Sequence, residues 1–177
     1  ARGVNFTLQS RVRIALELDR LGVGLIEAGW PASNPKDEEL IRQLKDYSLE
    51  KAKLAVFTST RRKNVRPGDD PNLLKVIDLD PEVAVIVGKS WDLHVKEVLK
   101  TELEENLEMI RDSVEFLREH GIRVIFDAEH FFDGYKDNPP YALQVLWAAQ
   151  EAGASTLVLA DTNGGSLPHE VQSIVSD

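Results

Sequence analysis

No cysteine occurs among these 177 residues, which excludes a disulfide framework and any thiolate metal site; a reducing cytoplasm fits that composition. An excess of basic charge is also missing, with 21 Lys and Arg against 30 Asp and Glu and a formal net charge of −9. Without an acidic or basic tail, that balance argues against nucleic acid and against an anionic membrane as the main partner. No apolar run approaches membrane-spanning length, and Ala1-Arg2-Gly3 does not open a signal peptide. An initiator Met is absent too, so a processed or incomplete start is expected. No G-x-G-x-x-G follows the first apolar run, and no P-loop lysine pattern is found. His94, His120, His130 and His169 stand apart, with neither H-x-H nor H-x₃-H, so local motifs build no histidine-pair metal site.

What is present is a repeating unit. A helix with Thr7 as N-cap carries Leu8, Val12, Ala15 and Leu18 at helical spacing and ends at Gly22. Further helices are predicted over 37–49, over 69–77 with Pro71 near the first turn, along an apolar stripe from Leu99 to Leu117, from Pro139-Pro140 to Gly153, and from Pro168. Short apolar strands are predicted at 23–27, 54–57, 83–87, from Val124, and at 156–160, each running into a polar loop. Strands that are apolar throughout are expected when both faces are covered. The strand starts recur near the ~30-residue interval of a (β/α)₈ barrel of roughly 250 residues. The fold class is therefore parallel α/β, either a (β/α)₈ barrel or a doubly wound open sheet.

The stretch Val124-Ile-Phe-Asp-Ala-Glu-His-Phe-Phe-Asp-Gly-Tyr135 organises the rest. Asp127 and Glu129 are two apart and share one face of an extended chain; His130 points the other way, and Asp133-Gly134 reads as a turn. Chemistry in parallel α/β folds sits at the carboxyl ends of strands. The two carboxylates are thus candidates for acid/base or substrate-orienting work, or simply close the strand and face water. In either fold the polar loops would gather Glu27, Ser59 to Arg62, Lys89, His94, Asp127, Glu129, His130, Asp161, Thr162 and Asn163 on one rim. Arg61, Arg62, Lys63 and Arg66 form the one basic cluster, read as an anion site at Arg61 and as a solvated loop at Arg62 and Lys63. Asp161-Thr-Asn-Gly-Gly165 offers a hydroxyl and backbone N–H groups for a carboxylate, or an ordinary strand-to-helix turn.

Five segments carry a resemblance: Ile26-Glu-Ala-Gly-Trp-Pro-Ala-Ser-Asn-Pro35, Phe57-Thr-Ser-Thr-Arg-Arg62, Gly88-Lys-Ser-Trp-Asp-Leu-His94, Phe126-Asp-Ala-Glu-His-Phe-Phe-Asp-Gly-Tyr135 and Leu159-Ala-Asp-Thr-Asn-Gly-Gly165. In order and spacing they resemble the family of 2-isopropylmalate and homocitrate synthases, which are metal-dependent (β/α)₈ barrels. The Gly88–His94 and Glu129–Tyr135 runs are similar to its citramalate-forming branch. The resemblance implies a cytoplasmic acyltransferase of branched-chain amino-acid biosynthesis (isoleucine or leucine) that joins acetyl-CoA to a 2-oxo acid, pyruvate first, by Claisen condensation. It implies Glu129 as the catalytic carboxylate, with Thr162 and Asp127 toward the substrate, Asp127 helping to set its size; Lys89 from the rim and Arg61 from the basic cluster are the further substrate-binding candidates. A divalent ion (Mg²⁺, Mn²⁺ or Zn²⁺) would polarise the oxo group.

The family's Leu-Arg-Asp-Gly and His-x-His motifs, which supply the metal ligands, do not occur here. The expectation is that residues 1–177 form the central part of one barrel domain, strands two to six, with the metal held mainly from outside this chain and the whole protein a homodimer. A 2-isopropylmalate or homocitrate synthase is the alternative within the family. A non-catalytic truncated barrel that binds a partner is the alternative of another class, disfavoured because open strand edges invite aggregation.

Overall fold

A computed structural model describes residues 5–177; the Ala1-Arg2-Gly3 start lies outside them. The chain runs α1 (Leu8–Leu21), β1 (Leu25–Glu27), α2 (Pro35–Lys45), β2 (Lys53–Ser59), α3 (Pro71–Leu79), β3 (Val83–Lys89), α4 (Asp92–His94), α5 (Leu103–Glu119), β4 (Arg123–Glu129), α6 (Phe131–Asp137), α7 (Pro139–Glu151), β5 (Thr156–Leu159) and α8 (Pro168–Ser176). All strand pairs are parallel, and the five strands lie side by side in chain order. A doubly wound sheet reverses its order at a switch point to place helices on both faces. No reversal occurs here. The sheet curls into part of a (β/α)₈ barrel, with helices on its convex side.

Alternation along the strands divides two cores. Val56, Ala84, Ile86, Val124, Phe126 and Ala128 pack with the helices. Ala55, Val83, Val85 and Ile125 cluster with Leu25 and Phe57 on the concave face. That second set has odd numbers on every strand, so the period that buries it also directs Glu27, Lys89, Asp127 and Glu129 to the concave side.

Local chemistry starts and stops the elements. The Thr7 hydroxyl accepts from the Ser10 N–H, and Gly22 closes α1 in the left-handed region at φ 96°. Asn34, Asp70 and Asn138 cap α2, α3 and α7 in the same way, each followed by proline in the first turn. Asp19, at the end of α1, is buried, and its carboxylate accepts the N–H groups of Glu50, Lys51 and Ala52 at 2.9, 2.8 and 2.7 Å. This bond set ties the first helix to the entry of β2.

Several boundaries differ from the sequence expectation. Strands β2 and β3 continue past their apolar runs, because Ser59 pairs with Val87 and Lys89 with Glu129 in the ladder. The stripe predicted from Leu99 is interrupted: Leu99 ends a π-helical turn (Val95–Leu99), Lys100 turns left-handed at φ 54°, and α5 begins at Leu103. Asp133-Gly134 is not a turn but lies within α6. There Phe131 and Phe132 are buried, and glycine is required by contact: a Cβ on Gly134 would sit 2.5 Å from the Ser90 carbonyl oxygen. The helix thereby docks directly on the loop that follows β3.

Candidate functional site

The ladder register sets Lys89 beside Glu129. Lys89 Nζ donates to Glu129 Oε2 in a short ion pair, with both side chains about one-quarter exposed, at 24% and 27%. One turn of the strand deeper, Asp127 has Oδ1 buried without a hydrogen-bond partner. Burial, and then the charge of Glu129, push the Asp127 carboxyl above its ordinary value. Glu27, at the end of β1, is raised likewise by burial and by Asp127. On the concave wall one carboxylate is paired with an ammonium, and two carboxyls are raised by burial and by a neighbouring carboxylate.

The backbone beneath is fixed by buried polar groups. Ser90 Oγ donates to the Glu129 carbonyl at 2.6 Å. Asn106 Nδ2 lies 2.9 Å from the Lys89 carbonyl and 2.8 Å from the Tyr141 hydroxyl. Burial pushes the Tyr141 phenol up to about 12, so it stays a neutral hydrogen-bonding group. Sequence reasoning missed Asn106. Its signal was a polar residue three after Leu103 and four before Ile110, on the buried stripe of α5.

Thr162 reaches the same rim from the loop after β5. Its Oγ1 accepts the His130 N–H at 2.9 Å, which supports His130 in the left-handed region at φ 56°. That conformation costs a side-chain-bearing residue about 1–2 kcal/mol. His130 Nδ1 is 3.0 Å from Asp133 Oδ2, which also accepts from Asn163 Nδ2 at 2.9 Å. The His94 ring stands edge-on to His130 with centroids 4.6 Å apart, and Trp91 lies 4.8 Å from His94. Burial, the neighbouring His130 and Lys89 lower His94. Two of the four histidines that are isolated in sequence, His94 and His130, are thus adjacent in space.

Two sequence expectations change. Arg61 does not present a free guanidinium. It is 6% exposed, with Nε 2.7 Å from Asp112 and NH1 2.8 Å from Glu105, and its N–H donates to Ser113 Oγ. Burial opposes its charge, yet those two acids hold it above its ordinary value. Arg61 fastens the loop after β2 to α5. The glycine turn after β5 is likewise closed internally: Asp161 accepts from Gly165 N and Ser166 N at 3.2 and 3.0 Å. Thr162, not the turn's N–H groups, is left facing the rim.

Among the described residues no group of three or more His, Asp or Glu is placed to hold a metal ion. The side chains here therefore do not fit a complete divalent-metal site.

The HMGL-like family model matches residues 1–177. The (R)-citramalate synthase of Sulfolobus acidocaldarius is 55% identical over 98% of this chain and 33% of that protein. The (R)-citramalate synthase of Aquifex aeolicus is 54% identical over 97% of this chain and 33% of its own length. The chain thus spans about a third of the curated relatives it matches. The crystal structure of hydroxymethylglutaryl-CoA lyase from Pseudomonas aeruginosa superposes with a TM-score of 0.77 at 14% identity, covering 99% of this chain and 58% of that one.

Proposed function

Because this chain belongs to the HMGL-like family, we propose that it forms the central part of a (β/α)₈ catalytic domain that condenses acetyl-CoA with pyruvate to give citramalate. The observation that carries this reading is the Lys89–Glu129 pair at the strand ends, beside Asp127 with its buried, unpartnered Oδ1. The identity of 55% and 54% to (R)-citramalate synthases supports pyruvate as the oxo acid.

The condensation takes a proton from the acetyl methyl group, joins that carbon to the oxo carbon of pyruvate, and then hydrolyses the thioester. Glu129 stands at the oxo acid as a carboxylate aimed by its ion pair with Lys89. Asp127 bounds the substrate's methyl side, where burial raises its carboxyl. The Thr162 hydroxyl, whose oxygen already accepts from His130, has its proton left to donate to the substrate carboxylate. HMGL-like proteins are generally divalent-metal dependent. In our reading the ligands for that ion come from the rest of the protein, since the described residues supply no set. We place the enzyme in the cytoplasm, as a homodimer, in branched-chain amino-acid synthesis. Among the described residues, no helix is long and apolar enough to cross a membrane.

The test is release of free CoA by the whole purified protein, with acetyl-CoA and a panel of 2-oxo acids. Pyruvate should exceed 2-oxoisovalerate in kcat/KM by at least about tenfold, the usual discrimination for added methyl groups in a closed pocket. A preference for 2-oxoisovalerate would move the protein to isopropylmalate formation.

A further inference from the structure

Lys89 and Glu129 form the last rung of the β3–β4 ladder. Beyond a last rung the register no longer fixes where a strand end points, and element ends fray. Here each main chain is held by a buried polar side chain instead. Ser90, the residue after the rung, is fully buried, and its Oγ donates across to the Glu129 carbonyl at 2.6 Å. Its own carbonyl oxygen is pressed against α6, where a Cβ on Gly134 would come within 2.5 Å of it. Asn106 on α5 is fully buried too, and its Nδ2 donates to the Lys89 carbonyl at 2.9 Å. The second Nδ2 proton goes to the Tyr141 hydroxyl on α7 at 2.8 Å. Three helices thus converge on one rung.

Asn106 makes this link at a cost. Its Oδ1 is buried without a partner, and an unpaired buried acceptor destabilises a fold. The same helix buries Met109, Ile110, Val114 and Leu117, so an apolar side chain would suit its inner face. What the amide supplies, and an apolar side chain would not, is a donor aimed at the Lys89 main chain. We propose that Ser90 and Asn106 are positioning residues of the condensation, clamping the main chain of the Lys89–Glu129 rung so that the paired side chains meet the substrate in one orientation. This rests on the reaction proposed above. Both residues are 0% exposed, so neither is offered to the substrate and both act through the rung. A displacement of about 1 Å can cost about a hundredfold in rate, so bonds that fix the Glu129 main chain bear directly on turnover.

The experiment uses the whole protein with Ser90→Ala and Asn106→Leu, each made in the wild type and again in Glu129→Gln. CoA release from acetyl-CoA and pyruvate gives kcat, with enzyme raised until the slow variants are measurable. Thermal melts check that each variant is folded at the assay temperature. Ser90→Ala and Asn106→Leu should each lower kcat by about 10–100-fold in the wild type. In the Glu129→Gln background the same changes should lower it by less than about twofold, because residues that act through one group are not additive. A merely structural role would move the melting temperature and either leave kcat alone or lower it by the same factor in both backgrounds. Either of those results overturns the proposal. Should Asn106→Leu fail to fold, Ser90→Ala decides by itself. A wild type that releases no CoA with any 2-oxo acid overturns the reading of the site, and this inference with it. An active wild type with equal factors in both backgrounds overturns the inference alone.

Discussion

Thr162 Oγ1 accepts the His130 N–H, and the proposed function adds a second role, its hydroxyl proton donating to the substrate carboxylate. Thr162→Val removes both. The loss of one hydrogen bond to a charged group is about 1.5–3 kcal/mol, so KM for pyruvate should rise roughly ten- to a hundredfold. KM for acetyl-CoA should move much less. Steady-state kinetics with each substrate varied in turn would decide, and equal effects on both would assign Thr162 to loop support. At this scale the legible part of the site was what depends on local spacing. Asp127 and Glu129 share a face because a strand alternates, and the ladder register shows that they do. The Lys89 partnership was not legible, because a register across 40 residues depends on where each strand starts pairing. Arg61 misled for a related reason. Its acids lie 44 and 51 residues onward on α5, and nothing near Arg61 announces them.

Between elements, the bond set of Asp19 makes a pH-dependent link. The N–H groups of Ala52, Glu50 and Lys51 hold its carboxyl below the ordinary 3.8. The folded protein thus binds that proton more weakly than the unfolded chain does. The resulting stabilisation is complete above the ordinary value and is lost as pH falls through the lowered one. Asp19→Asn should melt below wild type at neutral pH, with the gap closing in acid, in thermal melts from about pH 7 to about pH 2. A gap independent of pH would mean that shape, not charge, matters at this position. Helix caps and glycine stops were readable from Thr7, Gly22 and the proline starts, since each is a short-range signal. The α6 helix was not, because its glycine answers to the Ser90 carbonyl of a distant loop.

For the molecule as a whole, periodicity predicted a parallel α/β fold yet suited barrel and open sheet equally, because both bury the same short strands. Only the unreversed strand order separates them. Among the described residues β1 and β5 each pair on one side only. Val158 on β5, Ile14 and Leu21 on α1, and Val175 on α8 are exposed apolar side chains. Such surfaces invite association. Residues 1–177 made alone should bind a hydrophobic dye or self-associate, take up no divalent metal tightly in calorimetry, and release no CoA. Tight one-to-one metal binding with citramalate formation would show the active site to be misplaced. If Glu129 works on the substrate, the whole protein carrying Glu129→Gln should release CoA from acetyl-CoA and pyruvate about 10²–10⁴-fold more slowly, with far-UV dichroism and melting temperature nearly unchanged; turnover close to wild type would remove Glu129 from the site.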